Sequence, residues 1–224
     1  MNKRCVLTKE LFDCKTEYLK DFFDKHEYPW QMLPHIKDLI QELLDKGIPG
    51  YKLLKEGVLV GENVKIADNS TIIAPAIIGS NSEIRPGAYI RGNVITGEKC
   101  TLGNSSEFKN CILLFHVEAP HYNYVGDSIL GNYAHMGAGS ICSNLKSDGR
   151  NIVIHGDTDI ETGLRKIGAI LGDRADIGCQ SVLNPGTVIG KSTQVYPLSM
   201  VRGVIVENSI YKAKDNIVNK ENRD

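Results

Sequence analysis

Eight consecutive six-residue units run from Val60 to Glu107, and no other feature narrows the fold of this chain as far. Every sixth position reads Val60, Ile66, Ile72, Ile78, Ile84, Ile90, Thr96 and Leu102, aliphatic with one exception. Four residues further on, a second register reads Val64, Ser70, Ala76, Ser82, Ala88, Val94, Cys100 and Ser106, small throughout. The beat returns at Leu171, Ile177, Leu183, Ile189, Val195 and Val201, with Ala175, Ser181, Thr187, Thr193 and Ser199 in the small register. A fixed short period denotes a solenoid. Six residues are too few for a helix with its turn and fit one short strand plus a corner. Three such strands close a triangular coil of about 18 residues, with the aliphatic side chains stacked inward. The expected fold is an all-β solenoid, a parallel β-helix in which each coil buries its apolar side against its neighbours. Glycine follows the aliphatic position at 61, 79, 97, 103, 131, 137, 172, 178 and 190, where it is expected to free the backbone at corners. Asn63, Asp68, Asn69, Asn81, Asn104, Asn132 and Asp173 follow closely and suit left-handed turns.

The rest of the chain sets bounds. Twenty-six basic and 27 acidic residues leave a formal charge of −1 with no block of one sign, so neither nucleic acid nor an anionic membrane is an expected partner. No segment approaches the roughly 20 apolar residues of a membrane span. The opening MNKRCVLTKELFDC lacks an apolar signal core. Cys5, Cys14, Cys100, Cys111, Cys142 and Cys179 are scattered without CxxC spacing, which predicts reduced thiols and a cytoplasmic setting. Helices are expected over 8–26, with Thr8 as N-cap, and over 34–46, ending at Gly47. The predicted organisation is a small helical cap over 1–57 that closes an open solenoid end, the β-helix over 58–205, and a tail over 206–224.

The beat fails twice. It is lost after Phe108 through CILLFHVEAPHYNYVGD, resumes at Leu130 and Met136, and fails again across 142–168. Insertions leave a solenoid as loops, and loops on a rigid scaffold carry function. The first break holds His116, His121, Tyr122 and Tyr124, flanked by Arg85, Glu107, Lys109, His135 and Ala138. The second holds Asn144, Lys146, Asp148, Arg150 and His155, then Arg165 and Lys166. A base that titrates near neutral pH, cations for a phosphate and small residues for close approach suit group transfer to a phosphorylated acceptor.

The ordered set SEIRPGAYI, GNSSEFKNCIL and PHYNYVGDSILGNYAHMGAGSICSN resembles the C-terminal acetyltransferase domain of the bacterial bifunctional N-acetylglucosamine-1-phosphate uridyltransferase. TGLRKIGAILGDRADIGCQSVLNPG is similar to the C-terminal domains of archaeal sugar-1-phosphate nucleotidylyltransferases. The resemblance spans about 58–205 and implies a left-handed coil, against the usual right-handed rule for parallel crossovers. It also implies a homotrimer with sites between neighbouring β-helices, and acetyl-CoA-dependent acetylation of glucosamine 1-phosphate. By the same resemblance His121 is the catalytic base, Arg85 and Lys109 hold the sugar phosphate, and Tyr124 and Asn144 contact the sugar. Ala138 and Cys179 contact CoA, with Lys212 and Lys214 as candidates for a cation in the tail. His135 stands where the family has Asn, and Leu145 where it has Tyr. No glycine-rich nucleotide loop precedes the coils, so the chain is not expected to form a UDP-sugar by itself.

Two other readings compete. A β-helix related to sugar nucleotidyltransferases (the UDP-N-acetylglucosamine pyrophosphorylase group) can serve assembly or regulation without catalysis. A zinc carbonic-anhydrase-like site would use His116, His121 and His135. The surroundings HVEAPHYNY favour the acetyltransferase loop, and no metal is expected.

Overall fold

The structure, a computed structural model, describes residues 6–220. Parallel pairing carries the chain upward: Ile66 sits beneath Ile84 and Ile84 beneath Leu102, each 18 residues apart. Strands of two to seven residues stack into a left-handed parallel β-helix with three faces. The first face carries Val58–Val60, Ala76–Ile78 and Val94–Thr96; the second Lys65–Ile66, Glu83–Ile84 and Thr101–Asn104; the third Thr71–Ile72 and Tyr89–Ile90. The inward residues form one buried column from Val58 to Tyr211. Thr96, the exception in the aliphatic register, is buried and accepts a bond from the Gly79 amide at 2.9 Å.

The first break is not a loop. Glu107 lies beneath Tyr124, Glu118 beneath His135 and Tyr124 beneath Ile141, all 17 residues apart. The inward residues there are Phe108, Leu113, Ala119, Val125, Leu130, Met136 and Cys142. The beat drops one residue twice, between Phe108 and Leu113 and between Val125 and Leu130, and otherwise continues. Both losses fall at the corner from third to first face, inside the seven-residue strands Glu107–Leu113 and Tyr124–Leu130. The second break is a true insertion: Ile129 lies beneath Ile170 and Cys142 beneath Leu183, 41 residues apart. It leaves the coil over 144–168 and carries an antiparallel hairpin, Val153–Ile154 against Ile160–Glu161.

The glycines act by size and not by freedom. None of the nine has a positive φ; the left-handed residue comes two later, at Asn63, Asn81, Lys99, Ser105, Tyr133, Gly139, Arg174, Gln180 and Ser192. A Cβ on Gly103 would stand 1.9 Å from the Pro120 carbonyl of the next coil, so a side chain there has no room. Of the predicted turn residues, only Asn63 and Asn81 adopt the left-handed conformation.

The N-terminal helices do not close an end of the solenoid. Helix α1 (Thr8–Leu11), α2 (Glu17–Asp24), a 3-10 segment (Pro29–His35) and α3 (Ile36–Lys46) lie along the first face. The predicted single helix over 8–26 breaks at Phe12, which is extended, and resumes at Glu17; Leu7 and not Thr8 holds the N-cap position, and the buried Thr8 hydroxyl has no partner. Gly47 ends α3 with φ 73°, as expected. Leu19, Phe23, Trp30, Met32, Ile36 and Ile40 form one apolar layer with the outward ladder Leu59, Ile77, Ile95, Ile112, Ile129, Ile170 and Val188. Ile152, Ile154 and Ile167 of the insertion cover the upper part of the same ladder. The ends are closed instead by antiparallel strands: Lys52–Lys55 on Val58–Val60 below, and Asn216–Asn219 on Ser209–Ala213 above. Ser209–Ala213 still pairs in parallel with Gln194–Val195, so the coil continues past 205 into the segment expected as a tail. Cys5 and 221–224 lie outside the described residues. No helix among the described residues is long and apolar enough to cross a membrane.

Candidate active site

The shortened corner gathers polar side chains. Asn110 and Asp127, both left-handed, occupy it in successive coils. Asp127 is 6% exposed and accepts from Asn110 Nδ2 at 2.9 Å and from Asn144 Nδ2. Lys109 Nζ stands 3.8 Å from the same carboxylate. A carboxylate so buried needs donors and a cation around it. Asn144 Nδ2 also reaches the Tyr124 hydroxyl at 3.2 Å, leaving the phenol O–H to donate outward. Burial, then the charges of Glu107 and Asp127, hold the Tyr124 phenol above its usual range, so it stays protonated. Gly126 separates these side chains: a Cβ there would come within 2.5 Å of the Tyr124 hydroxyl. Lys109, Tyr124 and Asn144 therefore form one cluster on the third face. The 3-10 segment and the insertion flank it, and a cavity of about 510 Å³ opens beside Asp127, lined by Leu33, Pro34, Leu145, Arg165 and Lys166.

His121 stands one corner away, three residues before Tyr124 and so within about 10 Å along the chain. Asn123 fixes it there. Asn123 is buried, accepts from the His121 amide at 3.0 Å, and donates to Gly137 O at 2.8 Å and Ser140 Oγ at 3.1 Å. The His121 side chain is exposed and bonds to no other group among the described residues. Along the same corner the coils place Ala138 above His121 and Cys179 above Ala138, through Gly139 N to His121 O and Gln180 N to Ala138 O. Neighbouring coils are about 4.8 Å apart, so the three stand in a line of roughly 10 Å. Cys179 is an exposed free thiol, whereas burial pushes Cys100 and Cys142 up to about 12.

Two assigned residues fall elsewhere within one chain. Arg85 projects from the second face and pairs with Glu83 at 3.0 Å. The cation next to Lys109 in its own column is Arg91, paired with Glu107. His135 also lies on the second face and bonds Asp176 at 2.9 Å. His116 lies in the turn before the strand Glu118–His121, which His121 ends, and His116 stacks on Tyr133 with ring centroids 5.3 Å apart. Among the described residues no three His, Cys, Asp or Glu gather at metal-binding range, so the zinc triad does not form within one chain. Sequence reasoning gave no role to Asp127 or Asn123. The signal for Asn123 is an amide in the small register, where Ser106 and Ser140 stand one coil below and above.

A family model described as the GMPPB C-terminal domain matches residues 72–164. The Bifunctional protein GlmU of Methanococcus vannielii is 32% identical over 230 residues, covering 98% of this chain and 53% of that protein. The chain is a homologue of the GlmU-type sugar-1-phosphate nucleotidylyltransferases. A bifunctional sugar-1-phosphate nucleotidylyltransferase/acetyltransferase of Sulfurisphaera tokodaii is 31% identical over 160 residues, 71% of this chain and 40% of that protein. The chain thus spans about half the length of the curated relatives it matches. Among solved structures, a variant of AntD, an N-acyltransferase from Bacillus cereus solved with dTDP-4-amino-4,6-dideoxyglucose and coenzyme A, is 22% identical. The match covers 82% of this chain and 89% of that one, with a TM-score of 0.41.

Proposed function

We propose that the chain transfers an acyl group, acetyl in the first instance, from CoA to the amine of an amino-sugar phosphate or a nucleotide-linked amino sugar. The observation that carries this is the pairing of an exposed, unbonded imidazole at His121 with the Lys109–Tyr124–Asn144 cluster one corner away. The amine nitrogen attacks the thioester carbon, the C–S bond breaks, and the thiolate leaves as CoA. His121 takes the proton from nitrogen, which suits an imidazole near neutral pH. Lys109 holds the phosphate, helped by Arg91 in the same column, while Tyr124 and Asn144 orient the sugar. Ala138 and Cys179 line the corner along which CoA lies. The GlmU relatives support the same reading.

Arg85 and His135 enter this scheme only from a neighbouring copy. The first face is covered, whereas Tyr89, Tyr122, Ile141, Val182, Leu198 and Met200 expose apolar side chains along the third face and its corner with the second. A contiguous exposed apolar strip marks an interaction surface. Three copies packed through these faces form a homotrimer with His121 at the seam. Thiol release from acetyl-CoA against amino-sugar phosphates and nucleotide-linked amino sugars tests the chemistry. Release that is lost in His121→Ala supports it; no release with any acceptor sinks it in favour of an assembly role. Light scattering tests the trimer, and a monomer overturns it.

A further inference from the structure

The insertion over 144–168 is larger than a covering for the first face requires. Its apolar side, Ile152, Ile154 and Ile167, does the covering. Its other side faces the upper third face and encloses a cavity of about 360 Å³ with Ser143, Asn184 and Arg202. Those three stack in one column, Ser143 beneath Asn184 and Asn184 beneath Arg202, which continues upward from Arg91, Lys109 and Gly126. Lys146 and His155 enter the cavity from the insertion.

The cavity holds two cations, Lys146 and Arg202, against one carboxylate. His155 Nδ1 donates to Asp159 at 3.0 Å, which leaves Nε2 to accept from Arg202 Nη2, also at 3.0 Å. That contact takes one of the five guanidinium N–H donors and fixes the plane of the fork, a geometry matched to phosphate oxygens. Lys146 Nζ lies 3.7 Å from Asp148 and 3.4 Å from the Asn151 carbonyl. Asp148 is the one carboxylate in the lining, and it also accepts the Arg150 amide at 3.0 Å and faces the Arg150 guanidinium at 3.9 Å. Asn184 Nδ2 donates one N–H to the Val201 carbonyl at 3.0 Å and keeps a second, and Ser143 adds a hydroxyl. Two coil rises, about 10 Å, separate Ser143, next to Asn144 of the acceptor cluster, from Arg202.

We propose that this cavity is a second anion subsite that takes the diphosphate of a nucleotide-linked acceptor whose amino sugar lies at Lys109, Tyr124 and Asn144. The inference rests on the acyl-transfer reading and narrows its substrate class. Leu145, 45% exposed at the mouth of the cavity, gives the ligand an apolar edge between the two subsites.

Two measurements on the full chain separate this inference from the reading beneath it. Inorganic pyrophosphate is titrated calorimetrically into wild type, Arg202→Gln and Lys146→Gln, with thermal melts to show that each variant folds. Binding is expected to weaken by about tenfold or more in each variant, one lost charge-assisted contact being worth about 1.5–3 kcal/mol. KM for a nucleotide-linked amino sugar is expected to rise by a similar factor, while KM for an amino-sugar 1-phosphate stays unchanged. Pyrophosphate that does not bind, or binds all three proteins alike, overturns the subsite whether or not acyl transfer occurs. Binding that weakens while the nucleotide-linked KM does not move overturns the assignment to the acceptor and leaves a site for a free anion. Pyrophosphate binding that follows the variants in a chain with no acyl transfer keeps the anion site and sinks the proposed function alone.

Discussion

The first and third faces are built from the same hexads and end in opposite conditions. The outward ladder of the first face is Leu59, Ile77, Ile95, Ile112, Ile129, Ile170 and Val188, and the N-terminal helices and the apolar side of the insertion lie over it. The outward column of the third face is Tyr89, Glu107, Tyr124, Ile141, Val182 and Met200, half apolar and open. The first face shows what a solenoid does with a uniform apolar ladder: it finds a cover within its own chain. The third face mixes charge, phenol and aliphatic carbon, which suits a surface that meets a ligand and a second copy. The corner between them is where the beat loses a residue, and there Asp127 draws the polar cluster together.

The largest expected effect separates chemistry from fold on the open side. His121→Ala removes an exposed imidazole that bonds nothing, so its melting temperature should match wild type. Acyl transfer should fall by 10²–10⁴-fold, the usual worth of a positioned base. Equal losses of activity and stability would make His121 structural and break the contrast.

On the covered side the order reverses. Ile95→Ala and Ile112→Ala each empty a fully buried position between strand and helix, and should cost about 2–5 kcal/mol in urea unfolding. Met200→Ser, at a side chain 67% exposed within its own chain, should cost the folding of a single copy within about 0.5 kcal/mol. If the two faces respond alike, the helices do not cover the first face in solution.

Asp127 tests the boundary. Asp127→Asn keeps the size but removes the charge opposite Lys109 and turns a pure acceptor into a partial donor facing the Asn110 and Asn144 amides. Breaking such a buried pair costs about 3–5 kcal/mol at worst, and less here because Lys109 is partly solvated. Acyl transfer should fall more than stability predicts, because Tyr124 loses the Asn144 that orients it. A variant with unimpaired activity would remove Asp127 from the site.

Much of this contrast was legible in the hexads. The aliphatic register gives the inward column from Val60 to Leu102 and from Leu171 to Val201 residue by residue, since each coil repeats one steric environment. The single-residue slips after Phe108 and Val125 were not legible as slips, because a lost residue and an inserted loop both scramble a fixed period. Only pairing distances of 17 against 41 tell them apart. The covered face was readable in principle: Leu59, Ile77 and Ile95 are outward positions filled by large aliphatics, against the polar outward residues of the second face. The cluster of Lys109, Tyr124 and Asn144 came from resemblance; its centre, Asp127, needed three dimensions, since its partners come from the coils below and above its own.

The smallest expected effect lies on the second face, where His135 and Asp176 pair in the open. The hydrogen bond to Asp176 raises the His135 pKa above 6.5, and the same bond lowers that of Asp176 below 3.8. For His135 the stabilisation is complete below pH 6.5 and fades as pH rises through the raised value. For Asp176 it is present above pH 3.8 and fades as pH falls through the lowered value. The pair therefore contributes most between about pH 4 and 6.5. Both side chains are nearly half exposed, so solvent screening keeps the contribution within about 1 kcal/mol. Asp176→Asn should lower the melting temperature slightly at pH 5.5 and not at pH 8.5, and added salt should shrink the difference. If the seam between copies buries this face, as the trimer requires, the difference should instead grow and resist salt, because water no longer screens the pair. The salt dependence of one conservative substitution thus reports whether the second face is open or shared.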